Sequence, residues 1–305
     1  MTKRRRPAGG GGGAQAQAAS AARGRAQAAA AGPPTIDHLP LPDVGAVSRA
    51  TGRFVVDEAR ARRDANAALA RIDFSKRDIM LWVPATDGHA IDSYFQRAHD
   101  FATTRAGDVS LSVVDYVSTW ELRQSCPTGI ATLKLVLAGI RERLGADLRH
   151  HDVTIGGMSQ GAWIVGEVMA DPKYADFVKR AALMGHPWLA AHQYNSGQDR
   201  RVRVVNNPDD QVTLPVVGSA ADGLDSMAAV HMGRLSSSLA LLARTIAKNP
   251  IHGWLLAKSY TYTWPLFKGL WQDQHNYDND MVRGYVYLET GAYVPSQKQF
   301  YGSLD

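Results

Sequence analysis

Short runs of apolar and β-branched residues alternate along the chain with longer segments whose apolar positions recur every three or four residues. The short runs predict five buried strands, at 78–83, 108–116, 153–155, 179–184 and 201–205. The longer segments predict helices at 53–72, 93–103, 128–144, 162–169 and 281–289.

Strands that alternate with helices of this length indicate an α/β fold, with a parallel sheet and right-handed crossovers. In such sheets, functional sites lie beyond the carboxyl ends of the strands. Thr86, Ser159 and the loop after Val205 each follow a predicted strand. We therefore expect these three places to meet at one edge of the sheet.

Two of the predicted helices have apolar positions that indicate which side is buried. In the helix at 53–72 the residues available for burial are Val56, Ala59, Ala67 and Leu69. In the helix at 128–144 the apolar face consists of Ile130, Leu133, Leu137, Ile140 and Leu144.

The strand that ends at Ile155 leads into Gly157-Met158-Ser159-Gln160-Gly161, and small and apolar residues at helical spacing follow. A G-x-S-x-G pattern between a strand and a helix is the nucleophile elbow of α/β-hydrolases. The glycines let the strand and the helix pass closely. We therefore predict that Ser159 is a nucleophile and that the N–H of Gln160 is one oxyanion donor. The alternative is a glycine-rich turn whose serine only caps the helix.

A serine nucleophile needs a histidine base and a carboxylate that orients the base, and α/β-hydrolases supply them in the order Ser, Asp/Glu, His. Asp210, in the loop at 206–213, is the predicted acid. Three histidines follow it: His231, His252 and His275. His275 is favoured because it lies in a polar loop directly before the last predicted helix, and the other two remain alternatives.

Between Asp210 and His275 the pattern changes to a predicted helical insertion at about 222–272. An aromatic run from Trp254 to Trp271 closes this insertion. Trp264 and Trp271 are candidates for an apolar groove that leads to the nucleophile and holds a lipid chain. Simple packing of the insertion onto the sheet is the alternative. The helical face of the insertion consists of Leu235, Leu239, Leu242 and Ile246.

The 305 residues, 45% of them hydrophobic, suffice for one large domain or two small ones. Residues 1–34 contain six of the 34 Lys and Arg and no Asp or Glu, which leaves 28 basic against 29 acidic residues in the rest. A globally basic nucleic-acid-binding surface is therefore not supported. We expect the Ala- and Gly-rich tail at 1–34 to be disordered. Residues 35–305 should form a single α/β-hydrolase domain that includes the insertion.

The remaining chemistry-bearing residues exclude several classes. Cys126 is the only cysteine, so no intramolecular disulfide can form. We predict that Cys126 is a buried or surface thiol rather than a nucleophile. No Cys/His cluster has zinc spacing, and Gly156-Gly157 completes neither a P-loop nor a dinucleotide fingerprint. We expect no metal and no cofactor. The basic run Lys3–Arg6 lacks the apolar stretch of a signal peptide, and no apolar run approaches the roughly 20 residues of a membrane span.

The motifs resemble those of a known family. Gly157-Met-Ser-Gln-Gly-Ala162 resembles the G-Y-S-Q-G-A elbow of the cutinase-like serine esterases. Asn207-Pro-Asp-Asp-Gln-Val212 resembles their N-x-x-D-x-V loop, which aligns Asp210 with the triad acid. His275-Asn-Tyr277 resembles their H-x-x-Y loop loosely, being one residue shorter. In lacking disulfides and in its long segment between acid and base, the chain is more similar to the mycobacteriophage lysin B group.

The resemblance implies a serine esterase without a cofactor that hydrolyses lipid esters through an acyl-Ser159 intermediate. It implies an oxyanion hole made by the N–H groups of Gln160 and Thr86, with the Thr86 hydroxyl as a third donor. For the lysin B group the implied substrate is the mycolic-acid ester linkage to arabinogalactan. The implied partners are a bacterial envelope ester and a lipid surface that is contacted peripherally, with no specific nucleic acid.

Two other interpretations of the sequence remain open. One is an esterase or lipase of the cutinase or PE-PPE type with a different substrate. Another is a virion or envelope structural protein that keeps the fold without catalysis, anchored by its basic tail. The expected location is the host cytoplasm with release to the cell envelope, or the virion.

Overall fold

The computed structural model of the chain describes residues 35–44, 55–106, 108–119, 121–187, 199–206 and 277–292. The predicted tail at 1–34 and the predicted insertion at about 222–272 lie outside the described residues. Within the described ranges, no helix combines the length and the apolar composition that crossing a membrane requires.

Strands with parallel neighbours form one sheet in the described part of the chain. They are β1 (Asp78–Val83), β2 (Val109–Val113), β3 (Asp152–Met158), β4 (Val178–Met184) and β5 (Val202–Val205). Their order in the sheet is β2-β1-β3-β4-β5, and all pairs are parallel. The direction of winding therefore reverses between β1 and β3, the kind of point at which open α/β sheets hold their ligands.

Side chains of β1 alternate between two cores because successive residues of a strand point to opposite faces of the sheet. Ile79, Leu81 and Val83 belong to one core, and Met80 and Trp82 belong to the other. Burial on both faces is typical of a parallel sheet covered by helices, and it explains why β1 is a continuous apolar run.

Helices cover both faces of the sheet, which confirms the predicted α/β-hydrolase-like arrangement. They are α1 (Glu58–Ala70), α2 (Ser93–Ala106), α3 (Leu122–Leu144), α4 (Gln160–Met169), the short α5 (Pro172–Ala175) and α6 (Asp278–Thr290). Helices α1, α3, α4 and α5 pack on the face that carries Ile79, and α2 and α6 pack on the face that carries Trp82.

Helix α3 begins six residues before the predicted start at Thr128 and holds Pro127 in its interior. Proline lacks the N–H that would bond the carbonyl four residues earlier, which is that of Arg123. The N–H of Val55 donates to this carbonyl at 3.3 Å instead. A contact from a distant segment thus lets the helix pass through the proline. The predicted apolar face of α3, from Ile130 to Leu144, is confirmed as buried.

Helix α1 begins at Glu58 rather than at Arg53. Asp57 has extended backbone dihedrals, and its side chain accepts a hydrogen bond from the N–H of Arg60 at 2.9 Å, so it caps the helix. The predicted burial of Leu69 is confirmed, and Val56 is half-buried against the core.

The predicted burial of Ala59 and Ala67 is wrong, since both are exposed. The buried stripe of α1 runs instead through Ala61, Ala65 and Ala68, at the spacing of one helical face.

Strand β2 ends at Val113, three residues before the predicted end at Tyr116. The N–H of Val114 still donates to the carbonyl of Trp82 at 2.8 Å, and the chain then leaves the ladder. Residues 114–119 run instead along the carboxyl edge of the sheet.

Candidate active site

Ser159 lies between the last residue of β3 and the first residue of α4. Its backbone has φ 54° and ψ −118°, and a non-glycine residue at positive φ is uncommon. Such a conformation costs about 1–3 kcal/mol, so the surrounding contacts must maintain it. Ser159 thus lies, half-buried, at the tip of a strand–turn–helix at the carboxyl edge of the sheet.

The capping alternative for Ser159 is not what the structure shows. A capping serine has extended backbone dihedrals and accepts a hydrogen bond from the second or third N–H of the helix. Ser159 has a positive φ, and among the described residues its side chain makes no capping hydrogen bond. Within the described part of the chain, the hydroxyl of Ser159 is therefore not committed to the helix terminus.

Contacts between backbone atoms explain both glycines of the elbow. A Cβ added at Gly157 would lie 2.6 Å from the carbonyl carbon and oxygen of Gly161. A Cβ added at Gly161 would lie 2.5 Å from the carbonyl oxygen of Pro84 and closer still to that of Val83. Rotating a side chain cannot relieve these contacts. The first turn of α4 is therefore packed directly on the end of β3 and on the turn that follows β1.

Hydrogen bonds fix the backbone of Ser159 on both sides. Its N–H donates to the carbonyl of Met184, at the end of β4, at 2.8 Å. Its carbonyl accepts from the N–H of Trp163, in α4, at 3.1 Å. The position of Ser159 is therefore set by β4 and α4 as well as by β3.

Gln160 is the first residue of α4, and the first N–H groups of an α-helix have no acceptor within the helix. Thr86 lies in the turn at 84–88, directly after β1. Because Gly161 contacts the first residue of that turn, the turn and the N-terminus of α4 are neighbours. The structure thus brings Ser159, Gln160 and the turn of Thr86 together. The roles of Gln160 and Thr86 as oxyanion donors remain predictions.

The side chain of Gln160 points into the core and is 2% exposed. Its Nε2 donates to Ser125 Oγ at 2.9 Å and to Cys126 Sγ at 3.3 Å, and lies 3.3 Å from the carbonyl oxygen of Thr119. Its Oε1 accepts from the hydroxyl of Tyr116 at 3.1 Å. An amide with partners on both polar atoms is held in one orientation. Only the backbone of Gln160 therefore faces the site.

Cys126 is fully buried beneath Gln160, so of the two predicted environments the buried one is right. Burial raises the pKa of the Cys126 thiol to about 12. Because the thiolate is the reactive form, a thiol with this pKa is inert at neutral pH. The prediction that Cys126 is not a nucleophile agrees with this environment.

A buried carboxyl lies in the second turn of α4. Glu167 Oε1 accepts from Trp163 Nε1 at 3.0 Å. Burial raises the pKa of Glu167 to about 7, while the hydrogen bond from Trp163 and the charge of Lys134 act in the opposite direction. Lys134 is itself buried and pairs with Asp171 at 2.7 Å. The helix that carries the elbow thus contains a group that changes charge near neutral pH.

The other predicted site residues lie outside the described part of the chain: Asp210, His275, Trp264 and Trp271, with the alternative bases His231 and His252. The described chain leaves β5 at Asn206, whose Oδ1 accepts from the N–H of His186 at 2.9 Å. This bond joins the ends of β4 and β5 at the edge that carries Ser159. Among the described residues, no cluster of three or more His, Cys, Asp or Glu is arranged to hold a metal ion.

Residues that sequence reasoning missed surround the turn and the elbow. Tyr116 lies 32 residues along the chain from Pro84 and 44 from Gln160, and its hydroxyl reaches both. Ser118 and Ser125 likewise bond to distant backbone or side-chain atoms. No local pattern marks these residues, because their importance depends on which strands are neighbours in the sheet.

No protein-family model matches the chain, and no curated protein matches it. Several solved structures show a similarity to part of the chain. An acetyl xylan esterase is 13% identical over 56% of this chain and 99% of its own, with a TM-score of 0.38. A cutinase-like protein from Cryptococcus sp. is 16% identical over 47% of this chain and 80% of its own, with a TM-score of 0.37. A Trichoderma reesei cutinase is 14% identical over 60% of this chain and 89% of its own, with a TM-score of 0.34. At these identities and TM-scores the similarity supports no argument about fold or activity.

Proposed function

We propose that the protein is a serine esterase that hydrolyses lipid esters through an acyl-Ser159 intermediate, without a cofactor. The observation that carries this proposal is the backbone of Ser159, held at φ 54° by contacts that only glycines allow. Strain of this kind is typical of active sites, where the surrounding structure maintains it. In a nucleophile elbow, the strained backbone exposes the serine hydroxyl above the sheet, where a substrate can reach it.

In the proposed reaction, Ser159 Oγ attacks the ester carbonyl carbon while His275 accepts the hydroxyl proton. Asp210 orients the imidazole and stabilises its charged form. The N–H groups of Gln160 and Thr86, with the Thr86 hydroxyl, stabilise the negative oxygen of the tetrahedral intermediate. Collapse of this intermediate releases the alcohol, which takes the proton from His275. Water activated by the same imidazole then hydrolyses the acyl-enzyme.

The proposed substrate is a long-chain ester of a bacterial envelope, with the mycolic-acid ester linkage as the specific candidate. Its support is the resemblance of the elbow and acid-loop motifs to those of cutinase-like esterases, together with the aromatic run before His275. The similarity to the lysin B group, in the single cysteine and the long segment between acid and base, favours the mycolic-acid ester. A peripheral contact with a lipid surface and release from the host cytoplasm to the envelope, or a virion location, belong to the same proposal.

The test is hydrolysis of p-nitrophenyl esters from acetyl to palmitoyl by the wild type, Ser159→Ala and Ser75→Ala. Ser75 is an exposed serine in the turn before β1 and serves as the matched control. We expect Ser159→Ala to lose at least about 10³-fold in kcat with an unchanged melting temperature, and Ser75→Ala to match the wild type. A wild type without activity on any chain length would overturn the proposal and favour a structural protein that keeps the fold.

A further inference from the structure

One buried hydroxyl joins the two parts of the site that are predicted to bind the oxyanion. Tyr116 Oη lies 3.0 Å from the carbonyl oxygen of Pro84 and 3.1 Å from Gln160 Oε1, and its single O–H is shared between these two acceptors. The Tyr116 side chain is fully buried, and burial raises the pKa of its hydroxyl well above the usual value. The hydroxyl therefore keeps its proton and remains a donor throughout the physiological pH range.

Pro84 and Gln160 are each the first residue of a segment that carries a predicted oxyanion donor. Pro84 opens the turn that contains Thr86, two residues further on, and Gln160 opens α4 directly after the nucleophile. A donor that bonds to both of them limits how far the turn and the N-terminus of α4 can separate. The distance between the N–H groups of Thr86 and Gln160 depends on that separation.

The far end of the same turn is held by a neighbour of Tyr116. The N–H of Asp87 donates to the carbonyl of Ser118 at 2.5 Å, and Ser118 Oγ donates to the carbonyl of Gly88 at 2.8 Å. Asp87 has φ 58°, a second positive φ at a non-glycine residue, which these bonds help to maintain. Thr86 therefore lies between two anchored points, one held by Tyr116 and the other by Ser118.

The opposite side of the Gln160 amide is anchored to the same segment. Ser125 Oγ accepts from Gln160 Nε2 at 2.9 Å and in turn donates to the carbonyl of Val117. The segment at 116–119 thus contacts the turn, the first residue of α4 and, through Ser125, the first turns of α3. Every one of these groups has a partner, which makes the network rigid.

We propose that Tyr116 is a positioning residue that fixes the spacing of the two halves of the oxyanion hole, with Ser118 holding the far end of the Thr86 turn. This proposal rests on the proposed function. Tyr116 touches no reacting atom and acts through Pro84 and Gln160. Oxyanion stabilisation depends on donors that are already in place when charge develops, and a displacement of about 1 Å is enough to lose much of it. Binding of the substrate in the ground state depends far less on the position of these donors.

The test compares Tyr116→Phe with Tyr287→Phe. The hydroxyl of Tyr287 is also buried and donates to the carbonyl of Arg201 at 2.9 Å, at the amino edge of the sheet, opposite the site. Both variants remove one buried hydroxyl that bonds to a backbone carbonyl. The measurements are kcat and KM on p-nitrophenyl butyrate, the inhibition constant of butane-1-boronic acid, which forms a tetrahedral adduct with serine, and the melting temperature.

For Tyr116→Phe we expect kcat to fall about 10- to 100-fold, KM to change less than about twofold, and boronic acid affinity to fall by a factor close to that of kcat/KM. For Tyr287→Phe we expect a similar fall in melting temperature with kcat and boronic acid affinity unchanged. Ser118→Ala should show the Tyr116→Phe pattern at a smaller size, and it decides the question if Tyr116→Phe does not fold.

An active wild type whose Tyr116→Phe and Ser118→Ala variants keep kcat and boronic acid affinity while melting at lower temperature would show that the network only stabilises the fold. That result overturns the positioning role and leaves the proposed function intact. A wild type that neither hydrolyses the ester nor binds the boronic acid overturns the proposed function, and the positioning role with it.

Discussion

Replacing Gly161 with alanine would place a methyl group against the end of β1. The added Cβ would lie 2.5 Å from the carbonyl oxygen of Pro84, where an ordinary carbon–oxygen contact needs about 3.3–3.6 Å. Since the opposing atoms belong to the backbone, α4 must move away from the turn at 84–88 by about 1 Å. Helix propensity alone predicts that the substitution stabilises the protein, because alanine is favoured over glycine inside a helix by up to about 1 kcal/mol. Overpacking costs about 1–3 kcal/mol and should decide the outcome.

We expect Gly161→Ala to lower the melting temperature by several degrees and to reduce kcat about 100-fold, because the movement separates Gln160 from the turn of Thr86. Gly139→Ala is the matched control in α3. Its Cβ would lie 2.6 Å from Leu69 Cδ1, a side-chain atom in the core between α1 and α3, so the elbow is not displaced and kcat should stay unchanged. Thermal melts and initial rates on p-nitrophenyl butyrate measure both effects. A Gly161→Ala enzyme with wild-type rate and stability would refute this packing argument.

Three further predictions concern a titrating group and the undescribed site residues. The pKa of Glu167 rises from 4.5 to about 7 on folding, so the unfolded chain binds fewer protons between these values and stability falls as the pH rises from 4.5 to 7. Glu167→Gln should remove this fall: in urea denaturation its free energy of unfolding should exceed that of the wild type by up to about 3 kcal/mol at pH 8 and by little at pH 4.5. An equal pH dependence of stability in the variant and the wild type would contradict this prediction. Asp210→Asn should lose several orders of magnitude in kcat and Asp209→Asn almost none, and the reverse would shift the acid by one residue. Trp264→Ala or Trp271→Ala should lower palmitoyl ester turnover tenfold or more with butyryl ester turnover unchanged. If the turnover of both variants relative to the wild type is the same at every chain length, the lipid groove is excluded.

The elbow is the part of the site that the sequence predicts best, since its signals are local. Ser159, the flanking glycines, the strand before and the helix after all fall within about twenty residues. Strand β1 is equally predictable, because burial on both faces of the sheet makes it a continuous apolar run. The order of the strands in the sheet has no such local signal, and it decides which loops become neighbours of Ser159.

Features that depend on distant contacts could not be predicted. Helix α3 includes Pro127 because Val55 supplies the donor for the carbonyl of Arg123, a bond that no local rule anticipates. The hydroxyl of Tyr116 gains its partners only when β1, β2 and β3 lie side by side. The apolar run at 108–116 predicts that Tyr116 ends a strand, whereas Tyr116 lies beyond the ladder and bonds to the turn that follows β1.

Covalent labelling with a fluorophosphonate probe tests the central claim most directly. Cleavage after Arg149 and Lys173 yields a tryptic peptide in which Ser159 is the only serine, so a mass shift on that peptide identifies the nucleophile. We expect the folded wild type to be labelled at this peptide and heat-denatured protein to stay unlabelled. Ser159→Ala should also stay unlabelled, with its melting temperature unchanged. A folded wild type that remains unlabelled, or that carries the label on another peptide, would contradict the assignment of Ser159 as the nucleophile.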